Sequence, residues 1–361
     1  MFGPAFAMKA ALSNCEIAEL LAREAEGADG IRQRAFKRAA RNAFLWPERA
    51  ADIFLEGRSL LELKGIGPFL APKLRSWLEQ PPKKTNAPPL RRDFLALADA
   101  RRILSANPRW KESLRGDLQM HTTWSDGSGS IAEMAAAGEK CGYDYIAITD
   151  HSKGLKIAGG IDEPALARQG EEIAAVNNSS RNNGGKLIVL RSIEMNLDLR
   201  GEGDMEPKSL RQLDLVLGAF HSSLRRTDDQ TERYLRAIRN PHVHILGHPR
   251  GRIYNYRLGL AADWSRVFAE AARLDKAVEI DCYPDRQDLN LALLKLAKQE
   301  GVRVSLGTDA HHAWQFEFIE LGLAAALKTR IPPERIVNFL PLSDLLRWSS
   351  STTKKNRVSR A

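Results

Sequence analysis

Beyond residue 116 the apolar side chains alternate between two spacings. Short apolar runs bounded by Gly, Asn, Asp and Pro predict strands over 117–121, 145–149, 187–195, 213–221, 243–248, 277–282 and 302–309. Between them apolar residues return every three or four positions, which predicts helices over 131–141, 163–177, 229–240, 262–274 and 290–300. Strands alternating with helices imply parallel pairing, because a connection that holds a helix returns the chain to the same end of the sheet. The expected class is α/β, as a barrel or a doubly wound sheet.

Ahead of residue 80 only the helical spacing appears. Ser13 or Asn14 is placed to cap a helix through 20–25, and 31–44 predicts a second, strongly basic helix. Residues 60–78, LLELKGIGPFLAPKLRSWL, read as helix, tight Gly65-Ile66-Gly67 turn, helix, with Pro72 inside the second helix at the cost of a hydrogen bond. Glycines permit the sharp turn and bring backbone N–H groups near a phosphate at a helix start. The segment resembles a helix-hairpin-helix, which grips nucleic-acid backbone without reading bases. Gly65, Ile66, Gly67 and Lys73 are its candidate DNA contacts; an ordinary helical hairpin turned by glycine is the plainer alternative. Residues 80–89, QPPKKTNAPP, read as an extended linker, and 93–105 predicts a bridging helix. The expected domains are a helical one over 1–80, linker and bridge over 81–115, the α/β domain over 116–350, and a tail over 351–361.

Charge sharpens this division. The net charge of +9 is uneven: residues 1–115 carry 21 Lys and Arg against 13 Asp and Glu, residues 116–350 carry 29 against 32, and the last eleven add four basic side chains and no acid. A basic surplus in the front domain and tail is the footprint of a phosphate-backbone binder. No apolar stretch approaches the roughly 20 residues of a membrane helix. The mildly apolar start, 1–7, has its first charge, Lys9, after it rather than before, so no signal peptide is expected. Cys15, Cys141 and Cys282, odd in number and far apart, suit a reducing cytosol and read as small buried hydrophobes.

The predicted strands end in chemistry. The first ends in Gln119-Met120-His121, with Asp126 close behind, and the second in Thr149-Asp150-His151. The third holds Glu194, the fourth and fifth end at His221 and His248, and the seventh ends in Thr308-Asp309-Ala310-His311. In parallel β/α folds the C-terminal strand ends form one face, where active sites lie. A lone histidine there is usually structural, but five of the chain's eight histidines fall on these ends, with Asp126, Glu194 and Asp309. Imidazole with carboxylate suits Zn, Mn or Fe, and eight such groups exceed the roughly four that one tetrahedral ion takes, so two or three ions are implied. Clustered ions suit phosphate-ester hydrolysis: one lowers the pKa of bound water to about 7 and another stabilises the leaving oxygen. Asp309 and His221 are the candidate catalytic pair. Arg252 is the candidate phosphate clamp, with Arg250, Lys153 and Arg286 as further phosphate donors; surface side chains on loops are the bland reading of these four.

Residues 116–350 resemble a polymerase-and-histidinol-phosphatase (PHP) domain, through Gly116–Thr122 (GDLQMHT) with Ser125-Asp126-Gly127, Thr149-Asp150-His151-Ser152, Ile193-Glu194, Phe220-His221-Ser222, Gly247-His248-Pro249 with Gly251-Arg252, and Thr308-Asp309-Ala310-His311. Within that family the stretches DHSKGLKIAGG from Asp150 and EIDCYPDRQDL from Glu279 are similar to the version in bacterial family X DNA polymerases. The resemblance implies a distorted seven-stranded β/α barrel that holds three ions. His121, Glu194 and Asp309 would take one; Glu194 would bridge to a second with His221 and His248; Asp126, His151 and His311 would take the third. Many members have His-x-His in the first motif, where this chain has Gln119, a weaker amide ligand. Residues 14–78 resemble the N-terminal helical domain of the same polymerases, in which a lysine matching Lys73 can form a Schiff base with an abasic sugar; a second family lysine is Phe69 here.

About 35 residues lie between the two domains, too few for a polymerase palm and fingers. The expected protein is a cytosolic metal-dependent nuclease or phosphoesterase acting on DNA ends or abasic sites in repair, without DNA synthesis. A small-molecule phosphomonoester phosphatase and a DNA-binding scaffold with structural metals are the alternatives.

Overall fold

In the computed structural model, which describes residues 12–83 and 86–358 without the side chains of 353–358, the second half forms eight short strands. They are β1 Gly116–Asp117, β2 Tyr145–Ile148, β3 Ile188–Arg191, β4 Glu194–Asn196, β5 Leu217–Ala219, β6 Ile245–Leu246, β7 Ala277–Asp281 and β8 Arg303–Gly307. All pair in parallel, in one sheet of β1-β2-β3 and another of β4-β5-β6-β7-β8. Seven strands were expected; the third predicted run is divided. Asp214 binds both backbone groups of Arg191, its carboxylate accepting from the N–H and its own N–H donating to the carbonyl, each at 2.8 Å. That ends β3, and pairing resumes with β5 at Glu194.

Isolated parallel bridges, His151 to Glu194 and Met120 to Ala310, join the two sheets at the strand exits. Side chains alternate as a period of two requires. Tyr145 and Ala147 point into a cluster with Leu190, Leu217, Ile245 and Ala277, drawn from both sheets, while Ile146 and Ile148 pack with Met134 and Ile173 of the flanking helices. The strands therefore wrap one interior. Apolar side chains, including Trp348, fill part of it, while buried polar groups such as Asp117, Glu194, Glu279 and Asp281 lie within the strands.

The helix Glu163–Asn182 runs past its expected stop at residue 177. Asn177 does not end it, because its amide pairs with both backbone groups of Val189 at 2.8 and 2.9 Å. The helix Leu342–Val358 likewise takes in most of the segment expected to be a tail. Residues 1–11, on which the expectation about a leader falls, with 84–85 of the linker and 359–361, lie outside the described residues. Among the described residues no helix is long and apolar enough to cross a membrane. Cys282 is buried and Cys15 half-buried, but Cys141 is exposed, contrary to expectation, because it caps the end of the helix Ile131–Lys140.

The chain divides into two units, Met1–Ile103 and Leu104–Ala361. In the first, Ser13 caps the helix Asn14–Glu26 reciprocally with Glu16. That helix packs on the basic helix Gly30–Ala43 through buried Ile17, Leu21, Phe36 and Ala40. Asn14 is fully buried; its amide accepts from Ala50 N at 3.0 Å and donates to Glu48 O at 2.9 Å, closing the start of the helix Ala50–Leu55. Asn14→Ala leaves the buried Ala50 N–H unpaired and removes the bond to Glu48 O, and should lower unfolding free energy by about 2 kcal/mol. Urea denaturation checks this; an unchanged midpoint refutes it.

Candidate metal centre

The strand exits are stitched together before any side chain is considered. His121 N donates to Ala310 O at 2.8 Å and Asp309 N to Gln119 O at 3.0 Å, which sets His121 beside Asp309. Asp150, buried at the exit of β2, holds the loop carrying Asp126: its carboxylate accepts from Thr122 N, Thr122 Oγ1, Ser125 Oγ and Gln169 Nε2 at 2.5–2.8 Å. Backbone at the site is held in the left-handed region at His248 (φ 23°) and Asp309 (φ 53°), a strain that clusters at functional sites.

Glu194, fully buried, is the hub. Its Oε1 lies 2.5 Å from His248 Nε2 and 3.2 Å from His221 Nε2; its Oε2 lies 3.0 Å from His151 Nδ1 and 3.4 Å from His121 Nε2. Asp309 Oδ1 is 2.9 Å from His121 Nε2. On the other side Asp126 Oδ1 approaches His311 Nε2 at 3.4 Å, His151 Nε2 at 3.5 Å and His121 Nδ1 at 3.9 Å. Three groups have ligand atoms close enough to share an ion: His121 with Asp126, His151 and His311; His151 with Glu194 and His221; and His121 with Glu194 and Asp309. All eight expected side chains thus come together, His248 through Glu194.

Charge and hydrogen bonding tune these groups. Burial, then repulsion from His151 and His311, lowers His121 to about 3. Burial also works against charge on His151, yet Glu194 and Asp126 raise it to about 10. Burial alone would raise Glu194, but His151, His248 and His221 hold it well below the usual carboxylate range. His311 Nδ1 is 2.8 Å from the carbonyl of Asp309, which can only accept, so its Nε2 is left with a lone pair toward the site. His221 Nδ1 faces Asn196 Oδ1 at 3.1 Å with the same result. The donor set fits divalent transition ions, and His121 Nδ1, His151 Nδ1, Glu194 Oε2 and His221 Nε2 are buried without a hydrogen-bond partner.

Gln119 is placed elsewhere. Its amide lies against the buried Glu279 carboxyl, 2.7 Å from Oε2 with its nitrogen turned that way, and Gly307 leaves the space: a Cβ there would stand 2.2 Å from Glu279 Oε1. Burial, then Asp281, raises Glu279 well above the ordinary range. The expectation of a weak ligand at Gln119 gives way to this pair.

A cavity of about 300 Å³ opens over the cage, walled by Arg252, Arg257 and Arg286 and by apolar Leu155, Leu224 and Ile253. Arg286 lies against the carboxylate of Asp309 and 3.7 Å from Asp281. Lys153 and Arg250 do not line it. Lys153 Nζ donates to Glu163 at 2.7 Å, and Arg250 Nη2 donates to Leu258 O at 2.7 Å, holding its own loop. Sequence reasoning missed Arg257, Asn196 and the anchoring role of Asp150; only the Asp-His pair at 150–151 carried any signal for the last.

In the first unit, Gly65 takes φ +84°, and a Cβ there would stand 2.2 Å from Asn42 Nδ2. The element before the turn is a single 3-10 turn, Leu60–Glu62, rather than a helix. Ile66 is buried, and Gly67 O accepts from Leu70 N and Ala71 N at 2.9 and 3.0 Å. The following helix is Ala71–Glu79, so Pro72 falls in its first turn, where no hydrogen bond is lost, and not in its interior as expected. Lys73 Nζ pairs with Glu24 at 2.9 Å and lies 5.6 Å from the Trp77 ring centre.

No family model matches the chain. It is 36% identical over 233 residues to the DNA polymerase/3'-5' exonuclease PolX of Bacillus subtilis, which covers 64% of this chain and 40% of that protein. It is 28% identical over 218 residues to a "probable phosphatase" of Caldicellulosiruptor bescii, covering 58% and 84%. Among solved structures, a histidinol phosphate phosphatase from Lactococcus lactis, complexed with zinc, L-histidinol and phosphate, aligns with a TM-score of 0.38 and 14% identity over 67% of this chain and 93% of the other. These sequence relatives support the resemblance to a PHP domain that the motifs carry. Within that class it resembles PolX, of whose length it spans two fifths.

Proposed function

We propose that the chain is a metal-dependent phosphoesterase that hydrolyses phosphodiester or terminal phosphate bonds of DNA, as an end-processing or abasic-site nuclease in repair, within the cytosol. The observation that carries this reading is the convergence of five imidazoles and three carboxylates from segments distant in sequence, with buried ligand atoms lacking partners. Two or three divalent ions held there, Zn, Mn or Fe, supply Lewis acidity and an activated water. The chain's own residues bind and orient. Arg252 and Arg286, with Arg257, offer forked donors to phosphate oxygens, and the apolar wall limits water around the reacting bond. His221 and Asp309 are held for ligation by Asn196 and by the backbone of Gln119.

Hydrolysis of end-labelled DNA, with and without an abasic site, should require added Mn or Zn and stop with EDTA. Asp309→Ala should lower it by at least about a hundredfold, the scale of loss seen when even outer-shell support of a metal is removed. Equal turnover in wild type and Asp309→Ala would remove the cage from the reaction. The high coverage of a probable phosphatase favours a second reading, a small phosphomonoester substrate, so phosphomonoesters including histidinol phosphate belong in the same assay.

The basic first unit supplies affinity for DNA backbone under this reading, and binding should weaken steeply with salt. Its Lys73 is engaged in an ion pair with Glu24, which attack on an abasic sugar would have to break. Borohydride trapping on abasic DNA should therefore give no more adduct than Lys73→Ala gives; a strong adduct confined to wild type would show lyase chemistry.

A further inference from the structure

The loop that leaves β6 reverses tightly at the cavity mouth. Ile253 N donates to Arg257 O at 2.9 Å, Arg257 N returns to Ile253 O at 3.0 Å, and Asn255 at the tip takes φ 53°. The two tyrosines of this tip part company. Tyr254 is buried and its N–H donates to Asp285 O at 2.7 Å, whereas Tyr256 is 56% exposed. The Arg225 guanidinium stands 4.9 Å from the Tyr256 ring centre and also donates to its hydroxyl. Both sit next in sequence to cavity walls, Arg225 after Leu224 and Tyr256 before Arg257. A second loop brings Ile157 to the same cavity, 96% exposed.

An exposed ring braced by a guanidinium is a poor use of an aromatic for packing and a good one for stacking. We propose that Tyr256, held by Arg225, is a platform for a nucleobase at the mouth of the arginine-lined cavity, with Ile157 adding apolar contact. The site then takes a nucleotide: its phosphate meets Arg252, Arg257 and Arg286, and its base lies on the Tyr256 ring. A small polar phosphomonoester would gain nothing from this ledge. The inference rests on the phosphoesterase reading only for the identity of the cavity as a phosphate pocket.

The test is calorimetric titration of the full-length, Mn-loaded protein with thymidine 5′-monophosphate and with ribose 5-phosphate, which lacks the base. Wild type should bind the nucleotide about tenfold or more tightly than the sugar phosphate, the span that one base–aromatic stack supplies. Tyr256→Phe should keep that ratio, because it keeps the ring; Tyr256→Ala should bring it close to one. Equal affinities for the two ligands in wild type, or the same preference in wild type and Tyr256→Ala, would overturn the platform. Circular dichroism and metal content confirm that the variants are folded and loaded. Product analysis after each titration separates any heat of hydrolysis from the heat of binding. A protein that cleaves no ester would defeat the phosphoesterase reading, while the titration still decides the platform.

Discussion

Glu194→Gln is expected to cost about a thousandfold or more in kcat/KM, at or above the loss from deleting one preorganised electrostatic donor. The substitution changes almost no volume, so packing is a minor part of the effect. What disappears is the one buried negative charge that lies within 3.4 Å of four imidazoles, His121, His151, His221 and His248. His151, His248 and His221 hold Glu194 low against its burial, and an amide cannot return the attraction. Two of the three groups able to hold an ion include Glu194, so ion content should fall along with turnover. Elemental analysis and steady-state kinetics read the two effects separately. Full metal content with full activity in Glu194→Gln would contradict the cage as built here.

Gly127→Ala touches no ligand and should still dismantle one side of the site. A Cβ at Gly127 would stand 2.4 Å from both C and O of His121 and 2.6 Å from Thr122 N, all backbone atoms that cannot rotate away. Gly127 N donates to Thr122 O at 3.0 Å, and the neighbouring Ser128 N donates to His311 O at 2.8 Å. Making room for the methyl group therefore pushes the Asp126 loop off both His121 and His311. Overpacking of this kind costs about 1–3 kcal/mol, and contact with rigid backbone argues for the upper part of that range. The ion expected at Asp126, His151 and His311 should be lost or weakened. A variant with the wild-type denaturation midpoint and wild-type metal content would show that the loop yields without consequence.

The side chains that meet at the candidate centre could be read from sequence because a strand's end is marked locally. An apolar run that stops at Gln119-Met120-His121 or at Gly247-His248-Pro249 shows where the backbone leaves the sheet, and parallel pairing then puts every such exit on one face. The pieces that were missed depend on approach between distant segments. Nothing local to Gln119 points to Glu279, and nothing local to Asn196 shows that it would orient His221. The division of the third predicted run was hidden for the same reason, since Asp214, not residues 187–195, ends β3. Lys153 and Arg250 seemed suited to phosphate by their neighbours in the chain, yet Glu163 and the carbonyl of Leu258 take them.

By itself the sequence determined the α/β class, the alternation of strands and helices beyond residue 116 and the eight side chains that meet at the strand exits, because apolar period and residue chemistry are local properties. Only the tertiary structure decided which of those groups share a position, which arginines face the cavity and where Gln119 turns. Those outcomes are set by competition among partners brought together by folding, and a side chain's nearest competitor in space is seldom its neighbour along the chain.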